Sequence, residues 1–297
     1  MIWSKLSFLL RDKHSVSNID RQIAPLLAFL TALSTAILLL MLGFLAVEAW
    51  PVLINGGWRA FLQDDAWYPL EGMFGLMPML WASLALMFGA VLFAAPLGLA
   101  CAIFLQFYAP KRIKSAYRLG LSLMAGIPSV IFGLWGLTVL VPLIAQFQPP
   151  GTSLLAASLV LALMVLPTVA LTSVASLSAV PQELLAGASA LGLSHKAQIL
   201  GVVLPAARSG ILSGVILAMA RALGETMVVL MIAGNVVQYP LGIFEPVRAL
   251  TANIALEMAY ATGNHRAGLF ASGLLLTLLV ALLAWYAARM SGRVRHA

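Results

Sequence analysis

The chain has 297 residues, of which 62% are hydrophobic and only 9% charged, and its mean hydropathy is +1.01. That composition excludes a soluble globular domain and implies a polytopic membrane protein with no water-soluble block of more than a few dozen residues. The net charge is +7, and the single cysteine, Cys101, can neither close an intrachain disulfide nor complete a metal-ligand spacing.

Residues 1–22 hold too short an apolar stretch for a signal-peptide core and are expected to stay as a cytoplasmic segment. The uncharged run from Arg21 to Glu48 exceeds the roughly 30 Å hydrocarbon core, which places the first span at 23–47. A wetter stretch follows, with Trp50, Asn55, Trp58, Arg59, Asp64, Asp65 and Glu71, and reads as a loop with interfacial aromatics and solvated acids. The second span lies within 74–107 and is expected to kink near Pro78 and Pro96. Lys111, Arg112, Lys114 and Arg118 end it. Spans three and four, 119–146 and 154–178, are separated by the turn-rich Gln146–Thr152. The fifth and sixth spans are 209–232 and 267–288, and residues 290–297 form a tail.

Six spans put both termini on one side, and the basic residues test that arrangement. The N-terminal segment, the 111–118 cluster, Lys196, Arg208 and the tail carry thirteen of the seventeen Lys and Arg; Arg59, Arg248 and Arg266 fall on the other side. The positive-inside rule makes the richer side cytoplasmic, so the basic balance records orientation and not a nucleic-acid partner.

The connection 179–208 is long for a cytoplasmic loop, which marks it as functional. Pro181 suits a helix start, Leu184, Ala188 and Leu191 share one helical face, and Gly192 can end that helix. Ser194 suits the N-cap of a second short helix, closed by Leu204 and Pro205 before span five. Two short helices of this kind would present a ridge to another protein; the alternative is a surface loop with no partner.

Arg221 and Glu225 stand four residues apart within span five. An ionisable residue at that depth costs roughly 2.5–3.5 kcal/mol on insertion scales, so such residues face a bundle interior, a polar cavity or each other. Two readings are open. Arg221 can receive an anion through its planar, bidentate fork, or it can pair internally with Glu225; the two coexist if Glu225 restrains Arg221. Gly210 and Gly214, spaced as GxxxG, with Ala218, let another helix approach the same side. In span three, Gly126 and Pro128 can break the helix and free backbone N–H groups, and Ser129 adds a hydroxyl. Such broken helices hold anions mid-membrane, the alternative being a packing kink.

None of the five lysines follows a glycine as a P-loop demands, and no HExxH, paired-cysteine or nucleophile-elbow pattern occurs. The histidines, His14, His195, His265 and His296, are scattered. The chain is expected not to be an enzyme and to carry no metal or cofactor of its own.

The loop residues Ala186, Gly187 and Ala188, then Gly192, then Val202, Leu204 and Pro205, resemble the coupling loop of binding-protein-dependent ABC transporter permeases. The glutamate usual at the head of that small-residue patch falls at Ala186 here, with Glu183 three residues earlier. FGLMPML at Phe74–Leu80, AGIPSVIFGLWG at Ala125–Gly136 and RALGETM at Arg221–Met227 resemble the phosphate-specific branch, and Ile243–Ala259 leans toward its C-type subunit. The resemblance covers roughly residues 74–260. It implies an all-α integral membrane protein with six transmembrane helices and a type I importer (MetI-like) permease fold. It further implies a second, A-type permease subunit, two ATP-binding subunits at the cytoplasmic loop and a periplasmic phosphate-binding protein as partners. Arg221, Glu225, Thr226, Gly126, Pro128 and Ser129 would line an inorganic phosphate path across the inner membrane. Three alternatives stay open: an importer of molybdate, tungstate or sulfate, an ATP-independent carrier or channel, and a transport-dead sensory subunit.

Overall fold

Long runs of Leu, Ala, Val and Ile form helices here because hydrocarbon offers no water to a backbone N–H or C=O, and a helix satisfies both within one segment. The computed structural model describes residues 18–55, 61 and 66–292. The loop residues Trp58, Arg59, Asp64 and Asp65, together with 1–17 and 293–297, lie outside those described. The chain divides into two units, 1–48 and 49–297. Helix α1 (Asn18–Asn55) begins in the first unit; it is apolar on all sides, and Leu26, Leu27, Phe29, Leu40 and Val47 are exposed, as a lipid-facing span requires.

In the second unit, a two-stranded hairpin, β1 (Trp67–Tyr68) and β2 (Met73–Phe74), pairs Trp67 with Phe74. Helix α2 (Met77–Ile103) follows, then α3 (Lys111–Gly126), α4 (Ser129–Trp135) and α5 (Val141–Ala145). Helix α6 (Leu154–Ser178) leads into the short α7 (Gln182–Ala190) and α8 (His195–Gln198). Then come α9 (Leu204–Leu223), α10 (Met227–Ile232), α11 (Leu250–Glu257) and α12 (Gly263–Gly292). Five helices or helix runs are long and apolar enough to cross a bilayer, and there are six spans when the pair Lys111–Gly126 and Ser129–Ala145, bent by 92°, counts as one.

Helix α6 is the axis: 61% of its most apolar window is buried, against 28% for α2, for the α8–α9 run and for α12. The buried side chains form three layers. Leu86, Met87, Phe132, Leu161, Val165, Val228 and Ile232 fill the middle; Phe61, Trp67, Phe74, Met79, Leu250 and Leu269 fill the end that carries the hairpin; and Leu105, Leu121, Val174, Leu177, Val203 and Ile211 fill the end beneath α7 and α8. Lipid tails are as apolar as leucine, so these layers gain little by leaving lipid, and close approach through small residues matters more. Helix α9 meets α6 that way: a Cβ on Gly210 would fall on the Ser176 hydroxyl, and one on Gly214 on Thr172. The helix that the GxxxG spacing admits is therefore α6, with Ala218 fully buried beyond it.

Three helices widen into a π turn just before a proline: Phe104–Tyr108 before Pro110, Gly136–Leu140 before Pro142, and Ile199–Val203 before Pro205. Proline has no N–H and its ring crowds the carbonyl four residues back; the wide turn instead lets the preceding residue reach five back, as Ala109 N does to Phe104 O at 2.8 Å. One sequence expectation is corrected by this. Leu204 and Pro205 do not close the second loop helix, because the π turn absorbs Pro205 and the helix runs on from His195 to Leu223.

Gly214→Leu is expected to force α9 off α6 and lower stability by about 1–3 kcal/mol, read as a lower melting temperature in detergent. Gly120→Leu, where a new Cβ meets nothing within 4 Å, should leave melting unchanged.

Candidate functional site

Arg221 lies in the last turn of α9, which ends at Leu223; Gly224, Glu225 and Thr226 break the run before α10 resumes at Met227. The span expected at 209–232 is thus not one continuous helix, and Arg221 and Glu225 are not neighbours on a single helical face. Glu225 Oε1 accepts the backbone N–H of Met227 at 3.0 Å and of Val228 at 3.3 Å. A carboxylate there satisfies two donors that the helix start leaves unpaired. Thr226 occupies the N-cap position without capping through its side chain, because Glu225 already does so. The carbonyl of Glu225, stripped of a helical donor by the break, accepts the Thr251 hydroxyl at 2.8 Å.

Glu225 is therefore occupied, and the internal pair that four-residue spacing allowed is not made. Arg221 is exposed, and its Nη1 donates to Thr168 Oγ1 on α6 at 3.3 Å. Arg221 makes no ion pair with a carboxylate of the described residues, whereas Arg248 and His265 both pair with Glu257. A cation restrained by a neutral hydroxyl keeps its fork for an anion.

The second broken span contributes a corner beside this one. Helix α3 ends at Gly126, Ile127 and Pro128 are extended, and α4 starts at Ser129 with no side-chain cap. Helix α4 packs closely on α10: a Cβ on Gly133 would meet Met231 Sδ at 2.8 Å. The structure thus brings α4, which Pro128 and Ser129 open, alongside the helix that Glu225 caps, whereas Gly126 ends α3 on the other side of the bend.

The loop residues sit at the far end. Gly192 adopts a left-handed φ of 73° after α7, where glycine is the least strained choice. Ser194 caps α8 by accepting Ala197 N at 3.3 Å, and Gln198 Nε2 staples the two helices by donating to Ser189 Oγ and Leu193 O. Glu183, Ala186 and Gly187 are exposed and Ala188 is buried. Val202 ends in the π turn, and Leu204 and Pro205 open α9. Leu184 and Leu191 do not join Ala188 in packing: Leu191 is 82% exposed.

One polar cluster escaped the sequence reading. Glu257, buried, accepts Arg248 Nη1 at 2.8 Å on one oxygen; on the other it meets Trp67 Nε1 at 2.7 Å and His265 Nε2 at 2.8 Å. Arg248 also donates to Asn253 Oδ1 and to the Asn235 carbonyl. The cluster borders a cavity of about 640 Å³ lined by Trp67, Tyr68, Asn235, Arg248 and Glu257. The available signal was a lone acid, Glu257, closing an otherwise uncharged helix.

The profile of the family described as binding-protein-dependent transport system inner membrane component matches residues 94–296. The chain belongs to that family. A probable ABC transporter permease protein, YqgH, of Bacillus subtilis is 37% identical over 82% of this chain and 79% of its own. The phosphate transport system permease protein PstC of Mesorhizobium japonicum is 32% identical over 89% and 88%. Among solved structures, an inward-facing methionine ABC transporter chain superposes with a TM-score of 0.59 at 20% identity, covering 77% of this chain and 99% of that one. A bacterial alginate ABC transporter chain gives 0.62 at 15% identity, covering 96% and 99%. At those identities the likeness shows the fold, a MetI-like arrangement. As a permease of this family the chain is a multi-pass membrane subunit of a transporter, with an ATPase and a substrate-binding protein as implied partners.

The cap predicts a graded series at this permease's break. Glu225→Gln keeps an acceptor and should retain most of the stability, whereas Glu225→Ala should lose about 0.5–2 kcal/mol in thermal unfolding.

Proposed function

We propose that this chain is the C-type permease subunit of an ATP-driven importer of inorganic phosphate, set in the inner membrane with both termini in the cytoplasm. It pairs with an A-type permease subunit, receives phosphate from a periplasmic binding protein, and is driven by two separate ATP-binding subunits. The observation that carries the reading is Arg221: an exposed guanidinium at a break in a span, which among the described residues meets no carboxylate and is tied only to a threonine hydroxyl. Similarity to the phosphate transport system permease proteins supplies the choice of anion.

Phosphate oxygens would meet Arg221 briefly as the path opens first outward and then inward, Thr226 and the Gly126–Pro128–Ser129 corner lining the same route. Because Glu225 caps α10, it holds the shape of the break and does not restrain the guanidinium. The ridge formed by Glu183, Ala186, Gly187 and Ala188, the Gly192 turn and the Val202–Pro205 stretch would dock on the ATPase, with Leu191 filling an apolar site there. An uncharged leucine left this open to water is well suited to a partner's groove.

Arg221→Gln is expected to abolish ATP-dependent uptake of radiolabelled phosphate while the complex still assembles; normal uptake would remove the pathway assignment. Competition by molybdate, tungstate and sulfate tests the choice of anion, and only phosphate and its close mimic arsenate should compete well. Leu191→Ser should reduce transport-coupled ATP hydrolysis roughly tenfold, the effect of about 1.4 kcal/mol, without changing the melting of the isolated chain.

A further inference from the structure

The break at Gly224–Thr226 frees a carbonyl that no helical N–H can take, and the residue that takes it comes from a different element. Thr251, 6% exposed, donates its hydroxyl to Glu225 O at 2.8 Å from the first turn of α11. That turn is itself anchored: Leu250 N donates to Ser83 Oγ on α2 at 3.0 Å. Eight residues long, α11 ends at Glu257, where Arg248, Trp67 and His265 converge. One short helix therefore has its far end fixed in a buried ionic cluster and its near end bonded to the turn that follows Arg221.

We infer that Thr251 is a positioning residue for the anion contact at Arg221, and that α11 is the strut tying that contact to the Glu257 cluster. The inference rests on the proposed role of Arg221 and adds what holds it. In hydrocarbon, a carbonyl freed by a helix break and left unpaired is expensive, so without the hydroxyl the break relaxes by extending α9 or shifting α10. Either change shifts the Ser129 corner, which α4 carries against α10, relative to Arg221. The Ser83 anchor keeps the hydroxyl from following the carbonyl, so the bond fixes a position as well as a pairing.

The test uses the assembled transporter in liposomes with its binding protein, with turnover normalised to assembled complex. Thr251→Val, near in shape but without the donor, should lower the maximal phosphate uptake rate about tenfold, on the scale of one unpaired buried acceptor. The half-saturating concentration of loaded binding protein should stay unchanged. Thr251→Ser should restore the rate to within about twofold of wild type. In an Arg221→Lys background, Thr251→Val should add almost nothing, because the group it positions has already been changed. If Thr251→Val does not assemble, Ser83→Ala provides the second route: it frees Leu250 N and should give a smaller rate loss that also vanishes in Arg221→Lys. A wild-type rate in Thr251→Val, a loss that Thr251→Ser fails to rescue, or equal losses with Arg and with Lys at 221 would each overturn the inference, as would an unchanged rate in Ser83→Ala. The outcomes separate from those of the functional reading. If wild type moves no phosphate, that reading fails, and the same series is run on the oxyanion it does move.

Discussion

The structure turns on one constraint: within a bilayer, a backbone group released from a helix must be re-paired by protein. This chain interrupts its spans repeatedly and meets the demand differently each time. Before Pro142 and Pro205 it widens the helix by one residue and keeps the ladder intact. At Gly224–Thr226 it lets the helix stop, caps the restart with the Glu225 carboxylate and pairs the stranded carbonyl with Thr251. The first device preserves a rod, whereas the second creates a fixed corner with a cation on its edge.

Arg221 and Arg248 together show what such a corner makes possible. Arg248 spends its guanidinium on Glu257, on Asn253 and on the Asn235 carbonyl, so it binds segments together and carries little field outward. Arg221 has one bond, to a neutral hydroxyl. Neutralising Arg221 with Glu225 would have lowered its cost in the membrane; the break diverts that carboxylate to the backbone and leaves the charge uncompensated.

Much of this was readable from residue order. Charge-free runs marked the apolar helices that reach six spans when the bent pair counts as one, because they follow from transfer of side chains into hydrocarbon. Pro181, Gly192 and Ser194 marked the loop helices through local backbone preferences, and the structure places all three at helix ends. What the sequence concealed was non-local. Four-residue spacing made Arg221 and Glu225 look like partners, yet nothing within the span says that Thr251, 26 residues on, will stabilise a break between them. Pro205 read as a stop because local rules do not reveal when a π turn will absorb a proline. Glu257 gathers Trp67 from 190 residues away, a contact that only packing of the hairpin end can bring about.

Under the proposed function, the continuous run from His195 to Leu223 offers a push at the loop a route to the anion contact. At 1.5 Å per residue its 29 residues form a rod of about 43 Å, long enough to cross the membrane with Arg221 near the far end. Gly210 and Gly214 seat that rod against α6 with no side chain between, a contact that can slide or pivot but leaves no room for compression. Movement delivered at α8 would then arrive at residue 221 with little loss, while Glu225 and Thr226, beyond the break, are held by α10 and α11. The break is thus where a moving element meets a held one. An anion contact placed there changes its surroundings with each stroke, and Thr251 decides which side of that boundary stays still.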